Sequence, residues 1–181
     1  MMEQHAPAVF QEQLQSLVRE LRQLKGGDAL LPLLAERACP LLGADRLTVY
    51  VLSADQDSII ATVKTGLNDA LEISLPVSEQ SIAGYCALHR QSLNIANAYD
   101  AAELARYSPD LQFRAEIDQQ TGYQTRQVLA CPILRPSDQQ LVGVLQLINQ
   151  KHNLPFPLLV QDGAAKLCHA LADILSPSQS A

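Results

Sequence analysis

Two runs decide the architecture of this chain: Arg126-Gln-Val-Leu-Ala-Cys-Pro-Ile-Leu134 and Leu141-Val-Gly-Val-Leu-Gln-Leu-Ile-Asn149. Both are strongly apolar, and the turn-forming stretch Arg135-Pro-Ser-Asp-Gln139 lies between them, the pattern of two strands and a connecting turn. Further back, Arg46–Leu52 is β-branched and aromatic, and Ala54-Asp-Gln-Asp-Ser58 is a polar hairpin turn. Ile59–Thr65 is a second strand ended by Gly66; Leu71–Leu75 alternates as a third, stopped by Pro76; Ser92–Ile95 is a brief one. Strands grouped by hairpins pair antiparallel, whereas a doubly wound parallel sheet needs helices between strands. The class is therefore α+β, with a central antiparallel sheet of five or six strands and helices segregated to one side.

Helices flank these strands. Over residues 9–25, Phe10, Leu14, Leu17, Leu21 and Leu24 recur at alternating spacings of four and three, a heptad seam. Lys25-Gly26-Gly27 ends that helix. Asp28 caps a second helix through about Leu42, on which Leu30, Leu31, Leu34, Ala38 and Leu41 share a face and Pro32 lies near the start. Ser78 or Ser81 caps a helix to about His89. Helices are expected near 100–107 and 110–121, and a last one runs from about Pro157 to Leu175. The organisation is an N-terminal amphipathic helix (1–27), a domain (28–175) and a polar tail (176–181).

Composition excludes several classes of function. The chain has 181 residues and a formal net charge of −6, with 48% hydrophobic and 18% charged residues, enough apolar material for one core. The acidic balance argues against a nucleic-acid surface. No apolar run reaches the ~20 residues of a membrane-spanning helix. The N-terminus lacks the basic-then-apolar order of a signal peptide, so the expected location is cytoplasmic and Cys39, Cys86, Cys131 and Cys168 are expected as buried thiols. No Cys-x-x-Cys pair supports a metal site, and no metal is expected. The nucleophile-elbow, phosphate-loop and dinucleotide-binding patterns are absent, so no catalytic residue is assigned.

The chemistry that remains is in the middle. Ser81-Ile82-Ala83-Gly84 opens a helix whose first N–H groups can meet an anion or carbonyl, and Ala83 and Gly84 are small enough for close approach. In Phe113…Asp118-x-x-Thr121-Gly122-Tyr123-x-Thr125-Arg126, Phe113 and Ile117 share a helical face and Gly122 stops the helix. The hydroxyls of Thr121 and Thr125 can point into one cavity; alternatively, Asp118 and the threonines only secure the turn through local bonds.

These residues, with Val128–Ile133 and Gly143–Asn149, resemble a GAF domain, the sensory module of cyclic-nucleotide phosphodiesterases and many bacterial regulators. The likeness covers about residues 28–175. Lys64-Thr-Gly-Leu67, Glu79–Tyr85, Tyr99-Asp-x-x-Glu-Leu104 and Tyr107-Ser-Pro109 are similar to the GAF segment upstream of type II secretion and type IV pilus assembly ATPases. The resemblance implies a cavity between one sheet face and the central helix and loops, with terminal helices on the opposite face that commonly pair two subunits. It places purine and phosphate contacts at Thr48, Lys64, Thr65, Ile82, Ala83, Thr121, Thr125 and Gln146. An aromatic that stacks on guanine is replaced by Lys64, an acid by Thr65 and another by Gln146, which argues against cyclic GMP. The Asn-Lys…Phe-x-x-x-Asp-Glu signature survives only as Asn149-Gln150-Lys151…Phe156, with Val160 and Gln161 in place of the acids.

Three readings follow. The first is a non-catalytic sensor that binds a small molecule and signals through dimerising terminal helices to a secretion- or pilus-type ATPase or another effector. Its site is Ile82, Ala83, Thr121 and Thr125, joined by Thr48, Lys64, Thr65, Ser81, Phe113 and Gln146, with Asn97, Tyr99 and Asp118 on a lid. Replacing both threonines by valine should weaken a ligand by ~1–3 kcal/mol. The second is a ligand-free dimerisation or docking module using the seam and the Leu167, Leu171 and Ile174 face, in which glutamate at Leu17 and Leu21 gives a monomer. The third is a GAF-type free methionine sulfoxide reductase, for which Cys86 and Cys131 lie in the wrong sequence context.

Overall fold

The computed structural model describes residues 5–64 and 70–176, with backbone only for His5, Val63 and Lys64. In chain order the elements are α1 (His5–Arg22), α2 (Leu30–Leu33), α3 (Cys39–Leu42), β1 (Ala44–Leu52), β2 (Ser58–Lys64) and β3 (Ala70–Pro76). There follow α4 (Ile82–His89), β4 (Leu93–Ile95), α5 (Ala101–Ala105), α6 (Glu116–Thr121), β5 (Val128–Leu134), β6 (Leu141–Gln150) and α7 (Leu158–Leu175). Six strands form one sheet in the order β3-β2-β1-β6-β5-β4. Every adjacent pair is antiparallel.

The alternation of each strand divides the core in two. Leu129, Cys131 and Ile133 of β5, with Val49, Leu145 and Leu147, face α1, α2, α3 and α7. Tyr50, Val128, Ala130 and Val144 face α4 and the mid-chain loops. Helices thus cover both faces rather than one, because β5 and β6 are apolar on both sides and each side needs a cover.

The seam on α1 has its partner within the chain. Phe10, Leu14, Leu17 and Leu21 are buried against the core that α7 also enters. The two helices lie side by side: Lys166 Nζ donates to Gln11 Oε1 at 2.8 Å, and Arg22 meets Asp173 at 3.6 Å. Gly163 allows this approach, since a Cβ there would stand 2.7 Å from Phe10 Cζ. The expectation that the seam itself serves as a dimerisation or docking face is thereby corrected.

Four local expectations also change. Asp28 caps nothing; the chain instead enters through a 3-10 turn, Gly27–Ala29, without a side-chain cap. Between α2 and α3 the helix widens into a π turn, Leu34–Ala38, where the Cys39 N–H bonds back to Leu34 O. Pro40 explains the widening: it has no N–H for the Glu36 carbonyl, and its ring would strike that oxygen in a regular turn. The extra residue rotates the following positions, so Leu42 rather than Leu41 is fully buried; Leu31, before the turn, is exposed. Finally, residues 110–115 are not helical, so Phe113 does not share a helical face with Ile117. Leu111 is buried in the core and the Gln112 N–H donates to Gln80 O at 3.2 Å, drawing this segment out as a strap.

Candidate functional site

Between the β1–β6–β5 surface and α4, the strap and α6 lies a cavity of about 410 Å³. Its floor is set by register. Thr48 pairs with Gln146, and Gln146 with Ala130, so the hydroxyl and the carboxamide stand side by side on one face of the sheet. Tyr50, Val128 and Ile148 make the floor apolar around them, and Leu71, Ile73 and Leu75 of the edge strand β3 close one side.

Ser81 starts α4 in extended conformation, and its Oγ accepts from the Gly84 N–H at 3.0 Å. Ser81, Ile82 and Ala83 line the cavity. Gly84 has another role: a Cβ there would stand 2.6 Å from Pro76 O and 2.7 Å from Ser78 O, so it seats α4 on the end of β3 and does not admit a ligand.

The lid is tied down through one carboxylate. Asp118 on α6, itself buried, accepts from the Thr125 N–H (2.8 Å), the Thr125 hydroxyl (2.8 Å) and the Tyr99 hydroxyl (2.6 Å). That last bond pushes the Tyr99 phenol up to about 12. Tyr99 also meets Phe113 edge to face at 5.0 Å between centroids. Thr121 is exposed, with its hydroxyl donating to Ile117 O at 2.8 Å. Gly122 then turns the chain at φ +72°.

Just beyond, the Tyr123 hydroxyl donates to Asp45 Oδ2 at 2.6 Å and accepts from Asn149 Nδ2 at 2.9 Å. Burial and the Asp45 bond push that phenol well up. Asn149 also receives the Arg126 N–H at 2.6 Å. The Arg46 guanidinium lies 3.7 Å over the Tyr123 ring, at the border of the cavity. These contacts join the end of the lid to the start of β1, directly after α3.

Of the residues singled out in the sequence, the structure brings nine around the cavity: Thr48, Ser81, Ile82, Ala83, Phe113, Asp118, Thr121, Thr125 and Gln146. Asn97 and Tyr99 are not among its walls; the Asn97 Oδ1 accepts from the Tyr99 N–H, so this pair braces the lid from outside. Thr65 and the side chain of Lys64 lie outside the described residues. Sequence reasoning missed Arg46, Tyr50, Ile73, Gln112, Arg114 and Ile148. Strand alternation signalled Tyr50 and Ile148; nothing local signalled the arginines.

Ser108, Glu79 and His89 form a chain in which Ser108 Oγ donates to Glu79 Oε2 and His89 Nε2 meets Glu79 Oε1, each at 2.7 Å. The carboxylate stands between serine and imidazole, so the imidazole does not reach the hydroxyl, and the trio fastens the strap to α4. The hydroxyl, and secondarily the imidazole, hold Glu79 below its usual range. All four cysteines are buried free thiols outside the cavity lining. Among the described residues no three His, Cys, Asp or Glu side chains are placed to hold a metal, and no helix is long and apolar enough to cross a membrane.

Comparison with known proteins agrees with this architecture. The chain is 30% identical over 136 residues, 70% of its length, to the probable 3',5'-cyclic phosphodiesterase pde-5 of Caenorhabditis elegans. It is 30% identical over 123 residues to the dual 3',5'-cyclic-AMP and -GMP phosphodiesterase 11A of Takifugu rubripes, covering 62% of the chain. The matched stretches span only 17% and 12% of those proteins. In fold it is similar to the GAF domain of a phosphoenolpyruvate-protein phosphotransferase from Coxiella burnetii, with a TM-score of 0.70, 17% identity and 92% of each chain covered. It is also similar to the free methionine-R-sulfoxide reductase of Neisseria meningitidis, with a TM-score of 0.65 and 15% identity over 92% of this chain and 88% of that one. The family model described as "GAF domain" matches residues 26–176. With its six-stranded antiparallel sheet, its helices on both faces and a match over most of its length, the chain belongs to the GAF domain family.

Proposed function

We propose that this GAF domain is a non-catalytic sensory domain that binds a small molecule in the cavity over Thr48 and Gln146 and passes its occupancy to an effector. Domains of the family are commonly regulatory, and they bind small molecules such as cyclic nucleotides. The observation that carries the reading is the cavity itself: about 410 Å³, the size of a small-molecule site, with an apolar floor around one hydroxyl and one carboxamide. Gln146 and Lys64 in place of an acid and a stacking aromatic support a ligand other than cyclic GMP. The route outward is the Tyr123–Asp45 bond, which joins the lid to the start of β1, directly after α3, and hence to the terminal-helix layer.

The effector in this reading is an ATPase of the secretion or pilus-assembly class, and two copies pair through the terminal helices. Because the seam is internal, such pairing uses the outer sides of α1 and α7, where Gln15, Arg19, Asp162, Lys166 and His169 are exposed. The test is thermal unfolding across a metabolite library, with Ala83→Phe as the filled-cavity control. A ligand at a hundred times its Kd raises stability by about 2.7 kcal/mol, and the control should abolish that shift. Stabilisation that Ala83→Phe leaves intact would place the ligand elsewhere and end this reading.

A further inference from the structure

Cys131 and Cys168 meet on the sheet face opposite the cavity, in the core that α1 and α7 share. Cys131 sits on β5 between Leu129 and Ile133, the strand's other residues on that face. Along α7, Ala164, Cys168 and Ala172 recur every fourth residue and all are buried, so one stripe of the helix carries only small side chains. With nothing bulky between them, helix and strand approach until the Cys168 Sγ lies 4.0 Å from the Cys131 carbonyl oxygen. Ser92 completes the group. Leu93 pairs with Ala130 in the antiparallel β4–β5 ladder, which sets Ser92 beside Cys131 one step further on. β4 is an edge strand and Ser92 is exposed, so Cys131 is buried one residue in from the surface.

The thiols are not equivalent. A hydrogen bond from the Cys168 thiol, helped by one from the Ser92 hydroxyl, holds Cys131 below the ordinary thiol value although burial opposes it. Donating that bond, together with burial, pushes Cys168 well up. Burial also pushes Cys86 well up and Cys39 to about 11. Among the four cysteines, then, one has a favoured thiolate, and an intact thiol is its hydrogen-bond neighbour. An attacking sulfur needs the first property and a resolving sulfur needs that proximity.

We infer that Cys131 and Cys168 are a peroxide-sensitive pair that closes to a disulfide between β5 and α7. The Cys131 sulfur attacks one oxygen of a hydroperoxide. The O–O bond breaks, a sulfenic acid forms, and the other oxygen leaves as water or an alcohol, taking the thiol proton. The Cys168 sulfur then attacks the sulfenic sulfur; the S–S bond forms, the S–O bond breaks, and the oxygen leaves as water with the Cys168 proton. The two thiols lose two electrons and the peroxide gains them. The new bond ties the terminal helix α7 to the sheet, whether or not the cavity holds a ligand.

The test is hydrogen peroxide on the folded protein, at a dose that leaves its circular dichroism unchanged. Intact mass should fall by about 2 Da and return with dithiothreitol. Peptide mapping without reductant should join the segment holding Cys131 to the segment holding Cys168. Cys168→Ala, which extends the alanine stripe of α7, should instead gain about 16 Da at Cys131, in a form that dimedone traps. No mass loss in the folded protein overturns the assignment, as does a link through Cys39 or Cys86 in place of this pair. A link that forms only in urea overturns it too, since the fold would then not be what brings the sulfurs together. The map of the parent protein decides the matter even where the variant fails to fold.

Discussion

Asp118 and Thr125 are joined twice: the carboxylate of the first accepts both the N–H and the hydroxyl of the second, each at 2.8 Å. The pair spans the glycine turn between α6 and β5, so the lid is fixed to the sheet at the point where the chain leaves it. Both residues are buried, and Tyr99 supplies a third donor to the same carboxylate. A ligand can take up only the acceptor capacity that Thr125 keeps, because its proton is committed to Asp118.

The two threonines therefore differ. Thr125→Val leaves Asp118 with a lost buried donor and should cost about 1–3 kcal/mol of folding stability. Thr121→Val removes an exposed back-bond to Ile117 and should cost under about 0.5 kcal/mol. Urea denaturation of the single variants measures both. Equal costs would mean that the Asp118–Thr125 bonds do not hold the lid.

Leu17 and Leu21 give the second prediction. Both are almost fully buried within one chain, at 1% exposure each. Leu17→Ala should cost about 2–5 kcal/mol through lost burial and a residual cavity. The double change to glutamate should unfold the domain rather than release a monomer, since two unpaired carboxylates cannot remain in that core. A folded double variant by circular dichroism would show that α1 is not packed on α7.

The contrast between seam and sheet shows what was legible in the sequence. The two apolar runs in Arg126–Asn149 and the polar turn between them gave the strands and their pairing, because a strand–turn–strand pattern is written locally. The seam was equally legible as a buried stripe, but a stripe does not say what covers it, and here the cover, α7, begins more than a hundred residues later. The π turn before Pro40 and the extended strap at 110–115 escaped for related reasons. The effect of Pro40 rests on its clash with the Glu36 carbonyl in space, and the strap has helix-compatible residues overridden by the tertiary bond to Gln80. At the site, Thr48 and Gln146 came only from family resemblance. The Tyr123–Asp45 bond joins residues 78 apart, with no local sign in either.

Two glycines at close contacts should behave differently. At Gly143 a Cβ would lie 2.0 Å from the Tyr50 carbonyl oxygen, a backbone atom of the paired strand. Gly143→Ala must push β1 and β6 apart, at a cost of about 3 kcal/mol or more. At Gly163 the obstacle is the far end of the Phe10 ring, which can shift, and alanine gains up to about 1 kcal/mol of helix propensity. Gly163→Ala should fall within about 1 kcal/mol of neutral. Thermal unfolding of the pair tests the difference, and a Gly143→Ala protein as stable as the parent would contradict the β1–β6 register.

Alkaline pH gives the last prediction. Tyr99 is raised from an ordinary 10.0 to about 12 by its bond to Asp118, and Tyr50 is raised to about 12 by burial. A proton held more tightly in the folded state stabilises that state fully below the unfolded value and is lost as pH climbs through the folded one. The lid bond should therefore be intact below pH 10 and fail as pH approaches 12. In a phenolate absorbance titration, Tyr99→Phe should remove an ionisation near pH 12 and none near 10. The same variant should make the alkaline decline of the urea midpoint shallower, while the contribution of Tyr50 persists in it. If the lost ionisation centres on the ordinary value instead, the Tyr99 hydroxyl is not bound to Asp118 in solution, and the lid is held through Thr125 alone.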